Sequence, residues 1–140
     1  MGFELLELTT VGLPFCGFKI LAGICFNPLL TVLGVLDLVV NVVNLVGLVA
    51  LKRRPLPACC LALLLRVVRG PRWQELGTSI DVLVSFAIVA LMIGAGALGG
   101  LNPMRLQVWN VCVILNVLGA GLGRVSQSWR DLASKPQPAA

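Results

Sequence analysis

The feature that most constrains this chain is a long apolar run from Pro28 to Leu51, built almost entirely from leucine and valine, with Asp37 as its one acid. A helix needs about 20 apolar residues to cross a hydrocarbon core of about 30 Å, and this run is long enough. Asn27 before Pro28 is a strong helix start, because asparagine caps a helix N-terminus and proline suits the first helical position. A basic run ends the apolar stretch. The sequence therefore predicts a membrane-spanning helix over 28–51.

Two further apolar runs predict spanning helices, over about 79–101 and 106–123, each with tryptophan near an end, where interfacial anchors are common. Residues 11–26 are apolar but short, and Pro14 interrupts them. They predict a short interfacial or re-entrant helix, with a fourth crossing as the alternative. The N-terminus has no early cation and does not resemble a cleavable signal peptide, so we expect it to be retained.

The stretch 58–69 places leucines on one helical face and Arg66 and Arg69 on another, which is typical of a helix lying in the headgroup plane. The predicted fold class is thus an all-α integral membrane protein. It has three transmembrane helices, a short N-terminal hydrophobic helix and a cytoplasmic amphipathic interfacial helix. We expect one membrane-embedded helical domain over 1–130 and a polar, disordered tail over 131–140.

Composition excludes several classes of protein. Hydrophobic residues make up 58% of the chain and charged residues 12%, whereas soluble domains carry about 25% charged residues. The net charge of +5 comes from cations that flank apolar runs, so they form no polar basic face for nucleic acid. The chain has no histidine, and its five cysteines show no C-x-x-C spacing. We therefore predict no catalytic residue, no cofactor, no metal site and no soluble small-molecule substrate.

The cations are clustered along the chain. All but Lys19 and Arg105 lie between residues 52 and 72 or after residue 123, namely Lys52, Arg53, Arg54, Arg66, Arg69, Arg72, Arg124, Arg130 and Lys135. Short loops rich in lysine and arginine stay on the cytoplasmic side of a membrane. We therefore expect the 52–78 loop and the C-terminus to be cytoplasmic, in a cell (inner) membrane.

A polar stripe follows the first predicted span, because Asp37, Asn41 and Asn44 are spaced by three and four residues; Asn116 lies in the third span. An acid at the centre of a membrane helix costs about 2.5 to 3.5 kcal/mol, so the stripe is expected to face protein. One interpretation is polar glue, in which these side chains hydrogen-bond across helices. The other is a proton or cation relay, which normally needs several titratable groups at different depths. Lys19 is expected to reach the interface or to approach Asp37.

Small residues and peripheral charges complete the set of candidate sites. Glycines that would allow close helix packing are Gly34, Gly96, Gly100, Gly119 and Gly123. Asp81 is expected near the cytoplasmic interface, level with Lys52 and Arg53, and Arg66 and Arg69 are expected at the same interface.

These features predict a function without catalysis. The first hypothesis is a structural, anchoring or assembly subunit of a larger membrane complex, with the lipid bilayer and other subunits or copies of the chain as partners. The alternative is a small oligomeric channel or transporter with a polar path along Asp37, Asn41 and Asn44.

Overall fold

A computed structural model describes residues 2–134, and all regular secondary structure in this part of the chain is helical, without a strand. The α-helices are α1 (Gly2–Glu7), α2 (Leu13–Cys25), α3 (Pro28–Leu51), α4 (Cys60–Arg69), α5 (Trp73–Gly94) and α6 (Pro103–Ser134). A π-helical turn, Leu8–Gly12, joins α1 to α2, and a 3-10 turn, Ala97–Gly100, follows α5. Four stretches are long and apolar enough to cross a membrane: Glu4–Cys25, Pro28–Leu51, Trp73–Gly94 and Pro103–Ser126.

Helix α3 has the boundaries that the sequence predicts. The side-chain oxygen of Asn27 accepts a hydrogen bond from the backbone N–H of Leu29 at 2.9 Å, which satisfies one of the free donors at the helix start. At the other end Lys52 adopts a left-handed conformation with φ of 56°, a common way to terminate a helix.

The prediction of a short helix over 11–26 is wrong in length, because the chain is helical from residue 2 to residue 25. Proline lacks an N–H, and its ring collides with the carbonyl four residues earlier in a regular α-helix. Here the helix widens into the π-helical turn just before Pro14, and the N–H of Leu13 bonds to the carbonyl of Leu8. The proline therefore redirects the hydrogen bonding without ending the helix.

This N-terminal helix (residues 2–25) is the centre of the bundle. Its α2 part packs against α3, α5 and α6, and its buried Phe15 and Phe18 join Met92 of α5 and Trp109 of α6 in one apolar core. The rings of Phe18 and Trp109 lie 4.9 Å apart, centroid to centroid. The segment that the sequence placed at the periphery is thus the element around which the others are arranged.

The other two predicted spans are shifted along the chain. Helix α5 begins at Trp73, ahead of the expected start at Ser79, because nothing between them breaks a helix. It ends at Gly94, and Gly96 then adopts a left-handed conformation with φ of 65°. Helix α6 extends beyond the predicted 106–123 at both ends. Its helical backbone continues to Ser134, and residues 135–140 of the predicted tail lie outside the described residues.

Helix α4 forms close to where it was predicted but does not lie across the ends of the other helices. It runs antiparallel along α5, because Ala62 packs on Gly77 while Arg69 lies over the ring of Trp73, 5.3 Å from its centroid. At its N-terminus, the N–H of Cys60 donates a 2.7 Å hydrogen bond to a carboxylate oxygen of Asp37. The chain after α3 therefore turns back along α3 as far as its middle before α4 begins.

Candidate functional site

Three charged side chains from three helices meet inside the bundle: Lys19 of α2, Asp37 of α3 and Asp81 of α5, called the ion cluster below. The ammonium of Lys19 donates to Oδ2 of Asp37 at 2.5 Å and to Oδ1 of Asp81. Lys19 and Asp37 are each 2% exposed, and Asp81 is half-buried. A cluster of this kind holds three helices together, because breaking a buried ion pair leaves an uncompensated charge.

The position of Asp81 is a correction to the sequence analysis, which placed it near the interface. Because α5 starts at Trp73, Asp81 lies near the middle of its helix and level with Asp37. Lys52 and Arg53 remain exposed beyond the end of α3 and do not contact Asp81. Arg66 and Arg69 are exposed in the last turn of α4, as expected for charges at the surface.

The formal charges of the ion cluster do not cancel. Two carboxylates face one ammonium, which leaves a net charge of −1 when all three groups are ionised. The N-terminus of α4 offsets part of this charge, because the N–H of Cys60 points at Asp37 and the helix dipole is positive at that end. Asp37 thus fixes the position of α4, and it is also the acid whose placement in a membrane helix is predicted to cost the most free energy.

The side chains of the polar stripe on α3 form hydrogen bonds to other parts of the same chain. Asn44 holds the segment that turns back along α3, residues 52–60, called the returning segment. Its Nδ2 donates to the carbonyl of Pro57 at 3.0 Å, and its Oδ1 accepts from the N–H of Leu56 at 2.9 Å. The Nδ2 of Asn41 donates to the carbonyl of Asp37 at 2.8 Å. Asn116 is half-buried on α6, which adds no side chain to the ion cluster. Asp37 and Asn44 therefore act as polar glue between segments of one chain.

A small cavity of about 70 Å³ adjoins the ion cluster. Its polar lining comes from Glu7, Asn41, Arg54, Cys59, Thr78 and Asp81. Two of these residues have a buried atom without a hydrogen-bond partner among the described residues, Oδ1 of Asn41 and Nε of Arg54. The cavity therefore combines an unused acceptor, an unused donor and one member of the ion cluster.

The same region brings together atoms that resemble a metal-ligand set, but the charges around them do not suit a metal. One oxygen each of Asp37 and Asp81 and the sulfur of Cys59 lie within 4.8 Å of one another. However, the ammonium of Lys19 already contacts both carboxylates. Burial raises the pKa of the Cys59 thiol to about 11, so it is neutral near pH 7, whereas a metal binds the thiolate.

The predicted packing glycines divide into two groups. Gly34 lies against α2, where an added Cβ would be 2.9 Å from the carbonyl oxygen of Cys16, and Gly119 lies against the side chain of Thr10. By contrast, Gly96, Gly100 and Gly123 have no heavy atom within 4 Å of the place that a Cβ would take. Two of the five glycines therefore serve the chain's own packing, and three leave open space.

Sequence reasoning missed the cavity and the role of the returning segment. The sequence analysis counts Arg54 among the clustered cations and gives Cys59 no role in a site, and only folding brings the two residues to the same cavity as Asp81. The signal that pointed to the site was Lys19, a lone cation in an apolar run, for which an approach to Asp37 was one alternative. Comparison with protein-family models, with curated proteins and with solved structures found no match to this chain.

Proposed function

We propose that this chain is a four-span integral membrane protein that acts as a non-catalytic structural, anchoring or assembly subunit of a larger membrane complex. The observation that carries the proposal is the uneven coverage of its long helices. The chain buries 56% of the apolar window of its first long helix, but 22% of that on α5 and 17% of that on α6. The outer faces of α5 and α6 suit contact with lipid and with other helices.

Small residues on these outer faces favour protein partners over lipid alone. Ala90 and Gly94 are exposed on α5, and Gly123 lines an open groove beside Leu6 and Val11, where α6 meets the N-terminal helix. Membrane helices associate through such positions because small side chains let backbones approach closely. The proposed partners are other membrane subunits or further copies of this chain.

The proposed orientation places the cation-rich end of the bundle in the cytoplasm of a cell (inner) membrane. Arg54 beyond the end of α3 pairs with Glu7 near the N-terminus at 3.1 Å, and Gly119 of α6 packs on Thr10. The N-terminus, the 52–72 segment and the C-terminal half of α6 therefore share one end. Nearly all cations lie at this end, as the positive-inside rule requires of a cytoplasmic face.

The orientation predicts opposite labelling of two thiols in intact cells. Cys25 is exposed at the end of the bundle opposite the cation-rich loop, so a membrane-impermeant maleimide is expected to label it from outside. In a variant that combines Cys25→Ser with Pro71→Cys, labelling is expected only after the membrane is permeabilised. Labelling of this variant in intact cells would reverse the orientation, and labelling of the Cys25→Ser single variant measures the background.

The subunit proposal predicts that Gly123→Leu reduces assembly without disturbing the chain's own fold. A leucine there occupies the groove that Leu6 and Val11 also line, without a heavy atom of the chain within 4 Å of the new Cβ, so we expect a smaller particle in mild detergent and an unchanged denaturation midpoint. Val117→Leu on the same helix is the control, because Val117 is already large and 66% exposed. Gly119→Leu is expected to destabilise the monomer through Thr10. A wild-type chain that is purely monomeric at native abundance would contradict the proposal.

A second candidate function, a channel or transporter, is favoured by the ion cluster and the segment beside it. In a membrane the segment 52–69 would be re-entrant, and non-helical backbone at that depth is tolerated where protein buries it or water fills a cavity. The ion cluster also brings three titratable groups together, at one depth of the bundle. Because Asp37 and Asn44 are occupied in holding this segment, the path would pass through the cavity. Proton flux into vesicles that contain this chain alone would favour this candidate over the subunit.

A further inference from the structure

We propose that the ion cluster binds one exchangeable proton, carried by Asp81 and delivered through water in the adjoining cavity. The proposal goes beyond the proposed function, because a subunit that conducts nothing can hold such a proton. It stands on three observations. Two residues that line one cavity each have a polar atom without a hydrogen-bond partner, the charges of the ion cluster do not cancel, and its two acids differ in their hydrogen bonding.

The first observation identifies the occupant of the cavity as water. Oδ1 of Asn41 lacks a donor and Nε of Arg54 lacks an acceptor, and both residues line the same cavity. Water provides both functions, whereas a metal ion would satisfy the acceptor alone and an apolar ligand would satisfy neither. A water molecule needs about 10 to 15 Å³ of such space, so a cavity of about 70 Å³ has room for more than one.

The second observation is the charge of the ion cluster. With Lys19, Asp37 and Asp81 all ionised, the buried site has a net charge of −1, and burial of an unbalanced charge is strongly unfavourable. One bound proton makes the site neutral. This proton is therefore the smallest change that balances the site without an added ion.

The third observation assigns the proton to one acid. Both oxygens of Asp37 accept hydrogen bonds, one from Lys19 and one from the N–H of Cys60, so neither oxygen is left to carry a proton. Asp81 accepts from Lys19 through Oδ1, while its Oδ2 accepts no hydrogen bond within the described part of the chain. Asp81 also lines the cavity. Protonation is then a transfer from hydronium in the cavity to Oδ2 of Asp81, which leaves water and changes no oxidation state.

The two thiols at the start of α4 are neutral near pH 7. Burial raises the pKa of Cys60 to about 12 and that of Cys59 to about 11. Arg54 pairs with Glu7 at the rim of the cavity. The charged and titratable groups around Asp81 are, from each element in turn, Glu7, Cys16, Lys19, Asp37, Arg54, Cys59 and Cys60.

The test is infrared spectroscopy of the full-length chain in lipid nanodiscs. We expect a C=O stretching band of a protonated carboxylic acid at neutral pH, its downshift in D2O, and its replacement by carboxylate bands as the pH is raised. The band is expected to be absent in Asp81→Asn and unchanged in Glu75→Gln, which removes an exposed acid. No such band in the wild type, or its persistence in Asp81→Asn, would overturn the proposal.

A second measurement tests whether the proton reaches Asp81 through the cavity. It does not depend on whether the Asp81→Asn variant folds. Ala58 lines the cavity, so Ala58→Leu is expected to fill it without changing any charge. The band should then remain, while its exchange in D2O slows by about tenfold or more, a change of about 1.4 kcal/mol in the free energy of access. Equal exchange rates in the two proteins would show that the proton takes another route. Assembly in detergent is measured separately, so failure here leaves the subunit proposal intact.

Discussion

Lys19→Met is expected to lower the yield of folded chain far more than the loss of any exposed cation. Methionine is unbranched and apolar, so it fills the same space and makes the helix more hydrophobic. Insertion of this helix into a membrane should therefore become easier. Folding should nevertheless suffer, because Asp37 and Asp81 would face each other without the ammonium that both contact. Removing one partner of a buried ion pair costs about 3 to 5 kcal/mol.

The measurement is the denaturation midpoint in detergent micelles, with Arg53→Met as the matched control. Arg53 is exposed beyond α3, so its replacement is expected to change stability little. Combining Lys19→Met with Asp37→Asn and Asp81→Asn removes all three charges and should restore most of the lost stability. If Lys19→Met were as stable as Arg53→Met, the ion cluster would not be what holds α2, α3 and α5 together.

Gly77→Ala and Gly94→Ala are expected to have opposite effects although they lie on the same helix. A Cβ on Gly77 would lie 2.7 Å from Cα and 2.9 Å from the backbone N of Ala62. Backbone atoms cannot rotate away, so α4 must separate from α5, at a cost of about 1 to 3 kcal/mol. At Gly94 no heavy atom lies within 4 Å of the new Cβ. Alanine there should stabilise the helix by up to about 1 kcal/mol.

The rate of Cys60 alkylation shows whether the start of α4 has moved in Gly77→Ala or in Gly94→Ala. Burial raises the pKa of its thiol to about 12, so little thiolate is present at neutral pH and alkylation is slow. If Gly77→Ala moves the start of α4 into a more polar environment, the pKa should fall and alkylation should accelerate. In Gly94→Ala the rate should equal that of the wild type. Slow alkylation and unchanged stability in Gly77→Ala would show that α4 does not depend on close contact with α5.

The parts of the fold that the sequence predicts correctly depend on local chemistry. Both ends of α3 follow from residues within a few positions of each end, Asn27 with Pro28 at the start and the basic run at the finish. The N-terminal helix was misjudged because Pro14 normally ends a helix, and a π-helical turn that tolerates it has no clear local signature. A helix that passes a proline in this way gains its stability from neighbours that are distant in the sequence.

The site was predictable only in part, for a similar reason. The spacing of Asp37, Asn41 and Asn44 indicated a buried polar stripe, and all three side chains are buried. Partners on another helix were expected, and Asp37 and Asn41 have them in Lys19 and Cys16 of α2. The sequence did not indicate that Asp37 and Asn44 also hold the backbone of the returning segment. Backbone donors and acceptors are the same at every residue, so no side-chain pattern marks which of them an acid or an amide will meet.

The central position of the N-terminal helix also has a consequence for synthesis. The residues that every other long helix packs against leave the ribosome before those helices do, and they have no partners among them until the later segments follow. Lys19 is matched by Asp37 as soon as α3 is made, and the charges of these two side chains cancel. Asp81 arrives with α5 and adds the unbalanced charge. If the proposed proton is bound, its uptake therefore accompanies the docking of α5, and the late steps of biogenesis depend on pH where the early ones do not.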